Sequence, residues 1–203
     1  TPEQLRFFTN HVRTTTDKTP VDSNLSYTAT KVSDSSVSVT YTPARYHVFT
    51  DKYFKLTADI NMGGETWTPI GNLINNFNGH FDGNGHVIKN VFINGTSPVA
   101  FERYAFFGST GANVDIKNLG LENLTCNFMG SKTKHTVYID GEAYKFENRL
   151  VGAAGFLSAY AGGTFENCYI KKVIVRDFTE QMGSGGTGGF FGLGYGTVKA
   201  TEN

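Results

Sequence analysis

The chain has few of the residues that would hold it together covalently, draw it to nucleic acid or place it in a membrane. Only 2 of its 203 residues are cysteines, so we expect a fold that does not depend on disulfides. Its 18 Lys and Arg residues balance 18 Asp and Glu residues, which predicts no nucleic-acid partner. No run of about 18 apolar residues occurs, so no membrane insertion of this segment is expected.

The sequence also lacks the motifs that mark an enzyme or a cofactor site. It contains no His-Glu-x-x-His, the zinc-protease motif. The glycine-rich run 183–189 leads into Phe-Phe-Gly, whereas a phosphate loop leads into a helix and usually carries a Lys-Ser or Lys-Thr pair. The alternating polar residues from His80 to His86 resemble metal ligands, but the glycines among them indicate a turn. We therefore predict a protein that is not an enzyme, with no catalytic residues, no metal and no cofactor.

What the sequence does contain is an internal repeat. Four short segments resemble one another, and they start at the anchor residues Ile88, Ile116, Phe165 and Val198. A signal of aromatic residues and glycine precedes each later copy, at 104–108, 154–158 and 188–192. Removing 131–150 as an insertion leaves a period of roughly 30 residues, a length typical of stacked repeats.

Two segments interrupt the repeat, and each has the pattern of a β-hairpin. Residues 135–146 form two alternating runs joined by Asp-Gly, a dipeptide suited to a type I′ turn. The Thr- and Ser-rich segment 14–50 contains the alternating runs 25–32 and 37–42. We predict two inserted β-hairpins. Disorder is the alternative for 14–50, although its Val and Tyr content is high for a linker.

Short strands, glycine corners and the absence of helical periodicity within the repeat predict an all-β fold, a β-solenoid whose successive coils stack and bury their apolar faces. The anchors would then form one inward column. The asparagines two positions further on would form a buried structural ladder of side-chain amides through Asn90, Asn118 and Asn167. The single tryptophan, Trp67, is expected to be a core or corner residue.

The N-terminal residues have the pattern of a helix. Residues 1–4, Thr-Pro-Glu-Gln, match a capping box with proline in the first turn. Leu5, Phe8 and Val12 then fall on one helical face. We predict that residues 1–13 form a short helix that caps the first coil.

We expect a single β-helix domain with the following parts: the whole domain 1–203, the helical cap 1–13, the first hairpin insertion within 14–50, the coils 51–203, and the second insertion at about 131–150. The last copy stops shortly after Val198 without a polar capping repeat, which would leave an apolar end open. We therefore expect that the chain is part of a longer chain continuing past Asn203, or that a partner associates through this open C-terminal coil.

Three stretches of the sequence resemble a known family. They are 53–60 (Tyr-Phe-Lys-Leu-Thr-Ala-Asp-Ile), 67–71 (Trp-Thr-Pro-Ile-Gly) and 77–88, which contains Phe-Asp-Gly-Asn-Gly-His. Together with the later Phe-Phe-Gly and Ile-Lys-Asn-Leu-Gly patterns, they resemble the GLUG-motif repeat proteins of bacterial surfaces. Those repeats are right-handed parallel β-helices, and they also occur beside the catalytic part of some bacterial IgA-specific metallopeptidases. The resemblance implies a right-handed parallel β-helix and an extracellular or bacterial cell-surface location.

The missing catalytic pattern and this resemblance favour a non-catalytic bacterial surface or secreted module that serves in adhesion or ligand binding. Its expected partner is a glycan or a host surface protein. On the second hairpin, Tyr138, Tyr144 and Phe146 are the candidate ligand-binding residues; the alternative is that they pack against the coils. A glycan-cleaving β-helix enzyme and a purely structural stalk are the other functions that the sequence leaves open.

Overall fold

The structure is a computed structural model that describes residues 1–22, 25–96, 101–128, 132–149, 157–177 and 190–194. The predicted repeat copy at Val198, the glycine-rich run 183–189 and part of the signal at 154–158 lie outside the described residues. The described residues are mostly β, with one helix, α1 (Pro2–Thr14). The strands, in chain order, are β1 (Lys18–Val21), β2 (Tyr27–Lys31), β3 (Ser38–Tyr41), β4 (Arg45–Val48), β5 (Tyr53–Lys55), β6 (Ile60–Asn61), β7 (Asn75–Phe77), β8 (His80–Asp82), β9 (Val87–Lys89), β10 (Phe92–Gly95), β11 (Asp115–Lys117), β12 (Gly120–Phe128), β13 (Lys132–Ile139), β14 (Glu142–Arg149), β15 (Ser158–Ala161), β16 (Thr164–Glu166), β17 (Tyr169–Asp177) and β18 (Phe191–Gly194).

Helix α1 begins where the sequence predicts, because its first residues form a capping box. The Gln4 backbone N–H donates to Thr1 Oγ1 at 3.4 Å, and the Thr1 ammonium donates to Gln4 Oε1 at 2.8 Å. Leu5 and Val12 are buried, and Phe8 packs against the same core. The predicted amphipathic helix is confirmed.

Contacts of α1 cover the end of a parallel sheet. The Phe8 ring lies 4.6 Å from the ring of Phe54 in β5, centroid to centroid. Arg13 Nη2 lies 2.7 Å from Glu102 Oε1, in an ion pair that is mostly buried, and Arg13 also donates to the Pro69 carbonyl. These contacts attach α1 to β5 and to two loops of the core.

The strands belong to five separate sheets, which overturns the predicted single right-handed parallel β-helix. One sheet, of β1, β4 and β7, is mixed, and another, of β2, β3, β13 and β14, is antiparallel. The other three contain only parallel pairs: β5, β8, β11 and β16; β6, β9, β10, β12 and β17; β15 and β18. The repeated pattern specifies parallel neighbours locally. It does not determine how the segments between the copies pair.

Both predicted hairpins form, and they pair with each other. β2 pairs with β3 and β13 with β14, and Asp140 and Gly141 make the tight turn with φ of 50° and 80°. β14 also pairs with β2, where Phe146 lies opposite Ala29. Strand edges that would otherwise be open are thereby joined. The result is one four-stranded sheet, which we call the hairpin sheet, instead of two separate insertions.

In the parallel sheets, equivalent residues of neighbouring strands stack in straight rows. The inward row of the four-stranded parallel sheet consists of Phe54, Phe81, Ile116 and Phe165. The inward row of the five-stranded sheet consists of Ile60, Ile88, Leu121 and Ile170. The predicted column through Ile88, Ile116 and Phe165 is therefore wrong, because Ile88 belongs to a different row from the other two.

The misplaced anchor has a local explanation. Segment 88–90 (Ile-Lys-Asn) has the same letters as 116–118, but the strand that stacks on β11 is β8. There, residues 81–83 (Phe-Asp-Gly) occupy the positions equivalent to 116–118. Segments 88–90 and 116–118, although identical in sequence, therefore lie in different sheets.

Aromatic residues fill the core that the sheets share. Trp67 is 2% exposed, its ring stacks on that of Phe106 at 4.8 Å, and its Nε1–H donates to the Phe106 carbonyl at 3.0 Å. Phe77 and Phe107 are completely buried. Burying each such ring contributes about 1.5–3 kcal/mol. The predicted core position of Trp67 is confirmed.

Candidate functional site

The three predicted ligand-binding residues do not form one surface. Tyr144 is 9% exposed and Phe146 is 3% exposed, whereas Tyr138 is 73% exposed. Successive residues of a strand point to opposite faces, and Tyr138 lies opposite Ala143. The Tyr138 side chain is therefore on the other face of the hairpin sheet from Tyr144. The structure corrects the prediction that the three contact a ligand together.

Tyr144 and Phe146 instead lie in a cluster that joins the two hairpins. The Phe146 ring is 5.1 Å from Tyr27, 5.2 Å from Tyr41 and 5.7 Å from Phe101, centroid to centroid. Such contacts stabilise packing beyond the area that they bury. The aromatic residues of the second hairpin are structural, apart from Tyr138.

The predicted ladder through Asn90, Asn118 and Asn167 is formed only in part. Asn167 Nδ2 donates to Asn118 Oδ1 at 2.8 Å, and Asn118 Nδ2 donates to Asp82 Oδ1 at 3.0 Å. Asn90 follows β9, which belongs to the five-stranded sheet, and its amide bonds to neither Asn118 nor Asn167. Because the Asn118 amide stabilises its charged form, the carboxyl of Asp82 has a pKa below its usual value.

Asn90 belongs to a second ladder. Its Nδ2 donates to Asn61 Oδ1 at 2.8 Å, and its Oδ1 accepts from Asn123 Nδ2 at 3.2 Å. These bonds lie at the surface, which corrects the prediction of a buried ladder. Asn90 bonds to Asn61 and Asn123, and not to Asn118, because β9 and β11 belong to different sheets. Only amides at equivalent corners of neighbouring strands can stack.

Backbone conformation explains why asparagine recurs at these corners. The left-handed φ values, between 48° and 58°, are shared by Asn90, Asn118, Asn123 and Asn167. Asparagine adopts this region more readily than other non-glycine residues. Reading the repeated asparagine as a corner residue with positive φ would have been the better inference from the sequence.

The outward face of the four-stranded parallel sheet carries polar and aromatic side chains in two rows. The first row consists of Tyr53, His80, Asp115 and Thr164. The second row consists of Lys55, Asp82, Lys117 and Glu166. Within the second row a lysine stands next to each carboxylate.

An exposed aromatic pair lies on this face. Tyr53 is 78% exposed, and its ring stacks on His80 with centroids 4.3 Å apart and planes 10° apart. Asp115 Oδ2 lies 3.8 Å from His80 Nδ1 and 3.8 Å from Lys117 Nζ. Both distances are longer than hydrogen bonds, so the Asp115 carboxylate and the Lys117 ammonium can each still bond a ligand.

A second exposed ring lies on the outward face of the five-stranded sheet. Tyr169, 45% exposed, shares a row with Gly120 and Val87. A Cβ added to Gly120 would lie 2.6–2.7 Å from Cζ, Oη and Cε1 of Tyr169, so this ring extends across the glycine. The Tyr169 hydroxyl donates to Glu122 Oε1 at 3.2 Å. Burial, followed by the nearby Glu122, raises the pKa of Tyr169 and keeps the hydroxyl protonated.

The polar residues of the turn at 80–86 do not converge. His80 faces Asp115, whereas His86 Nδ1 lies 3.1 Å from Asp59 Oδ1. The predicted glycine turn is present between β8 and β9. Across the described ranges, no three His, Cys, Asp or Glu side chains are grouped so that they could hold a metal ion.

The pKa of one of the two thiols keeps it protonated. Cys126 is buried and Cys168 is partly buried, and both are reduced thiols. Burial raises the pKa of Cys168 to about 11, and its Sγ–H donates to the Glu166 carbonyl at 3.3 Å. Cys168 is therefore a protonated thiol near neutral pH and not the thiolate that a nucleophile or metal ligand requires.

Strand β17 exposes apolar side chains. Val173 and Val175 lie beside the buried Leu124 and Cys126 of β12. They are nevertheless 38% and 39% exposed. The predicted open end lies at the repeat copy that starts at Val198, which is outside the described residues, so association or continuation through it stays a prediction.

Comparison with known proteins gives one partial similarity. A 76-residue segment, 37% of this chain, is 40% identical to a protein of Evansella cellulosilytica described as "Putative Gly-rich membrane protein". The segment spans only 8% of that protein's length. The chain matches no protein-family model and no solved structure. In the part of the chain that the structure describes, no helix has the length and apolar character that crossing a membrane demands.

Proposed function

We propose that this chain is a non-catalytic ligand-binding module that acts outside the cell, in adhesion, at a bacterial surface or in secreted form. Its ligand is a glycan or a host surface protein. The observation that carries the proposal is the outward face of the four-stranded parallel sheet. There, the exposed ring of Tyr53 stacks on His80. Beside this pair lie Asp115 and Lys117, whose charged groups are too far apart to hydrogen-bond each other.

This face has the features of a recognition surface. An aromatic side chain supplies a large contact area at low cost in conformational entropy, and stacking on His80 already restricts the Tyr53 ring. Side chains held on a sheet are also positioned more accurately than side chains on loops. Asp115 and Lys117 add an acceptor and a donor within reach of the ring pair.

Two further observations bear on the proposal. In the outward row of this sheet each carboxylate has a lysine as its neighbour, so the charges of the row offset one another. The bacterial setting is proposed from the 76-residue similarity to a protein of Evansella cellulosilytica, and the surface location from the resemblance of 53–60, 67–71 and 77–88 to the GLUG-motif repeats.

The test is binding of the purified chain to a glycan array and to immobilised host matrix proteins. Tyr53→Ser is compared with Tyr138→Ser, a matched control because Tyr138 is almost equally exposed but lies on the hairpin sheet. We expect wild type to bind one of these classes, Tyr53→Ser to bind about tenfold more weakly, a change of about 1.4 kcal/mol, and the control to bind normally. Absence of all binding, or an equal loss in both variants, would contradict the proposal.

The non-catalytic part has a separate test. The chain is incubated with plant and host polysaccharides while reducing ends and unsaturated products are followed. We expect no turnover. Release of products that Asp82→Asn or Glu166→Gln abolishes would show that the enzymatic alternative is correct.

A further inference from the structure

We propose that Tyr169 is the platform of a binding site for a neutral glycan on the outward face of the five-stranded parallel sheet. The proposal deepens the proposed function, on which it rests, by naming the ligand class and a contact face separate from that of Tyr53. It depends on how the ring of Tyr169 is held, on the groups around it and on their charge balance.

The ring is held over a gap in the sheet surface. The Cβ position of Gly120 would be 2.6 Å from Tyr169 Cζ, 2.6 Å from Oη and 2.7 Å from Cε1. Because an approach in the ring plane would leave Cζ clearly farther away than its two neighbours, these near-equal distances place Gly120 under one face of the ring. Any larger residue at 120 would displace the ring. The other face is directed away from the glycine, and 45% of the residue is exposed.

A hydrogen bond fixes the ring in this position. The Tyr169 hydroxyl donates to Glu122 Oε1 at 3.2 Å, and the Tyr169 backbone N–H donates to the Leu119 carbonyl at 3.1 Å. A ring that is anchored at both ends needs little ordering when a ligand binds. The exposed ring is therefore preorganised.

The groups around the ring alternate between donors and acceptors. The row beside it, in the order of the strands, consists of Asn61, Lys89, Glu122 and Lys171. Asp59 lies next to Val87 in the row of Tyr169, where its Oδ1 accepts from the Val87 N–H at 3.0 Å. The carboxylates of Asp59 and Glu122 are balanced by Lys89 and Lys171, so the face has no net attraction for an ionic ligand.

A neutral pyranose complements this arrangement. One side of such a sugar is lined by C–H groups, which pack against the negative face of an aromatic ring. Its hydroxyls both donate and accept, so they can pair with carboxylate, ammonium and amide groups at the rim.

The experiment measures affinity of the whole chain for cellohexaose and mannohexaose by calorimetry, with hexagalacturonate as the charged probe of equal length. We expect at least one neutral hexasaccharide to bind and hexagalacturonate to bind more weakly. Tyr169→Ala should lower the affinity at least tenfold. Tyr169→Phe, which keeps the ring but loses the bond to Glu122, should lower it only about threefold.

Gly120→Ala provides the sharper variant, because it removes no group that could touch a sugar. Displacement of the ring predicts a loss close to that of Tyr169→Ala. Adding Gly120→Ala to Tyr169→Ala should then cause no further loss. If Gly120→Ala fails to fold, as shown by its melting curve, the contrast between Tyr169→Ala and Tyr169→Phe decides the question alone.

Several outcomes would overturn the proposal: no binding of either neutral hexasaccharide, preferential binding of hexagalacturonate, or equal affinities for wild type and Tyr169→Ala. These failures differ from failure of the proposed function. One such outcome is that the array identifies a ligand whose binding depends on Tyr53 while Tyr169→Ala binds normally. In that case the proposed glycan site at Tyr169 is wrong, and the proposed function as a binding module stands.

Discussion

Tyr144 and Phe146 of the hairpin sheet lie on a covered face, whereas Tyr53 and Tyr169 of the parallel sheets lie on open faces. In the hairpin sheet, Tyr144 and Phe146 are directed into a cluster between the strands and a loop, and they are at most 9% exposed. In the parallel sheets, Tyr53 and Tyr169 lie on outward rows and are 78% and 45% exposed. The comparison shows that the face on which a ring lies, and not the presence of a ring, determines whether it can contact a ligand.

Pairing accounts for this difference. Two hairpins that pair edge to edge form a small sheet, and such a sheet becomes stable only when one face is apolar and covered. The rings of the hairpins supply that face. The parallel sheets already have an aliphatic and phenylalanine core, with Ile116 and Leu121 fully buried, so their outward tyrosines are not required for packing.

The largest expected effect compares one ring from each region. Phe146→Ala should destabilise the protein by about 3–5 kcal/mol, because it leaves a cavity in the hairpin cluster. Tyr53→Ala should cost less than about 1 kcal/mol, because only its stack on His80 is lost. Chemical denaturation of both variants measures the difference. Similar free energies of unfolding for the two variants would contradict the claim that Phe146 is a packing residue and Tyr53 is not.

A smaller effect concerns the amide ladders. Asn118 and Asn90 each make two ladder bonds, and both have positive φ. Alanine at either position removes these bonds and also imposes backbone strain, because its Cβ disfavours positive φ. Asn118→Ala and Asn90→Ala should therefore destabilise the protein by about 0.5–1.5 kcal/mol for each bond lost, in addition to the strain.

Melting temperatures of Asn118→Ala and Asn118→Gly, each compared with wild type, test this. Asn118→Gly is the matched control, because glycine removes the same bonds without strain at positive φ. A melting temperature of Asn118→Gly equal to that of wild type would mean that the ladder bonds add no stability.

The smallest effect depends on pH. The pKa of Asp82 is lowered in the folded protein, chiefly by the Asn118 amide. A lowered pKa gives stability that is present above the unfolded value of about 3.9 and is lost as the pH falls through the folded value. Because Asp82 is only partly buried and solvent screens its charge, the contribution should be less than about 1 kcal/mol. Below pH 4, wild type should lose more stability than Asp82→Asn; parallel pH profiles would contradict this.

Local signals in the sequence predicted local structure. The capping box places the start of α1, and Asp140-Gly141 places the second hairpin turn, since both depend on side chains and dihedral angles within a few residues. The core position of Trp67 follows from its size and apolar character.

Pairing between distant segments was not predictable in the same way. The match between 88–90 and 116–118 led to the wrong row, because the register of parallel strands is set by which corners stack and not by letter similarity. The contact of Tyr169 with Gly120 joins residues 49 positions apart, and no local pattern marks it. The pairing of the two hairpins is likewise a long-range contact.

The central claim is that ligands contact the outward rows of the parallel sheets and not the hairpin sheet. Amide chemical-shift mapping of the isotope-labelled chain tests it most directly, with the glycan or matrix protein that binds in the array as titrant. We predict the largest shift changes in β5, β8 and β11 around Tyr53, or in β12 and β17 around Tyr169, and little change in residues 134–147. Changes concentrated in 134–147, with the outward rows unaffected, would contradict the account.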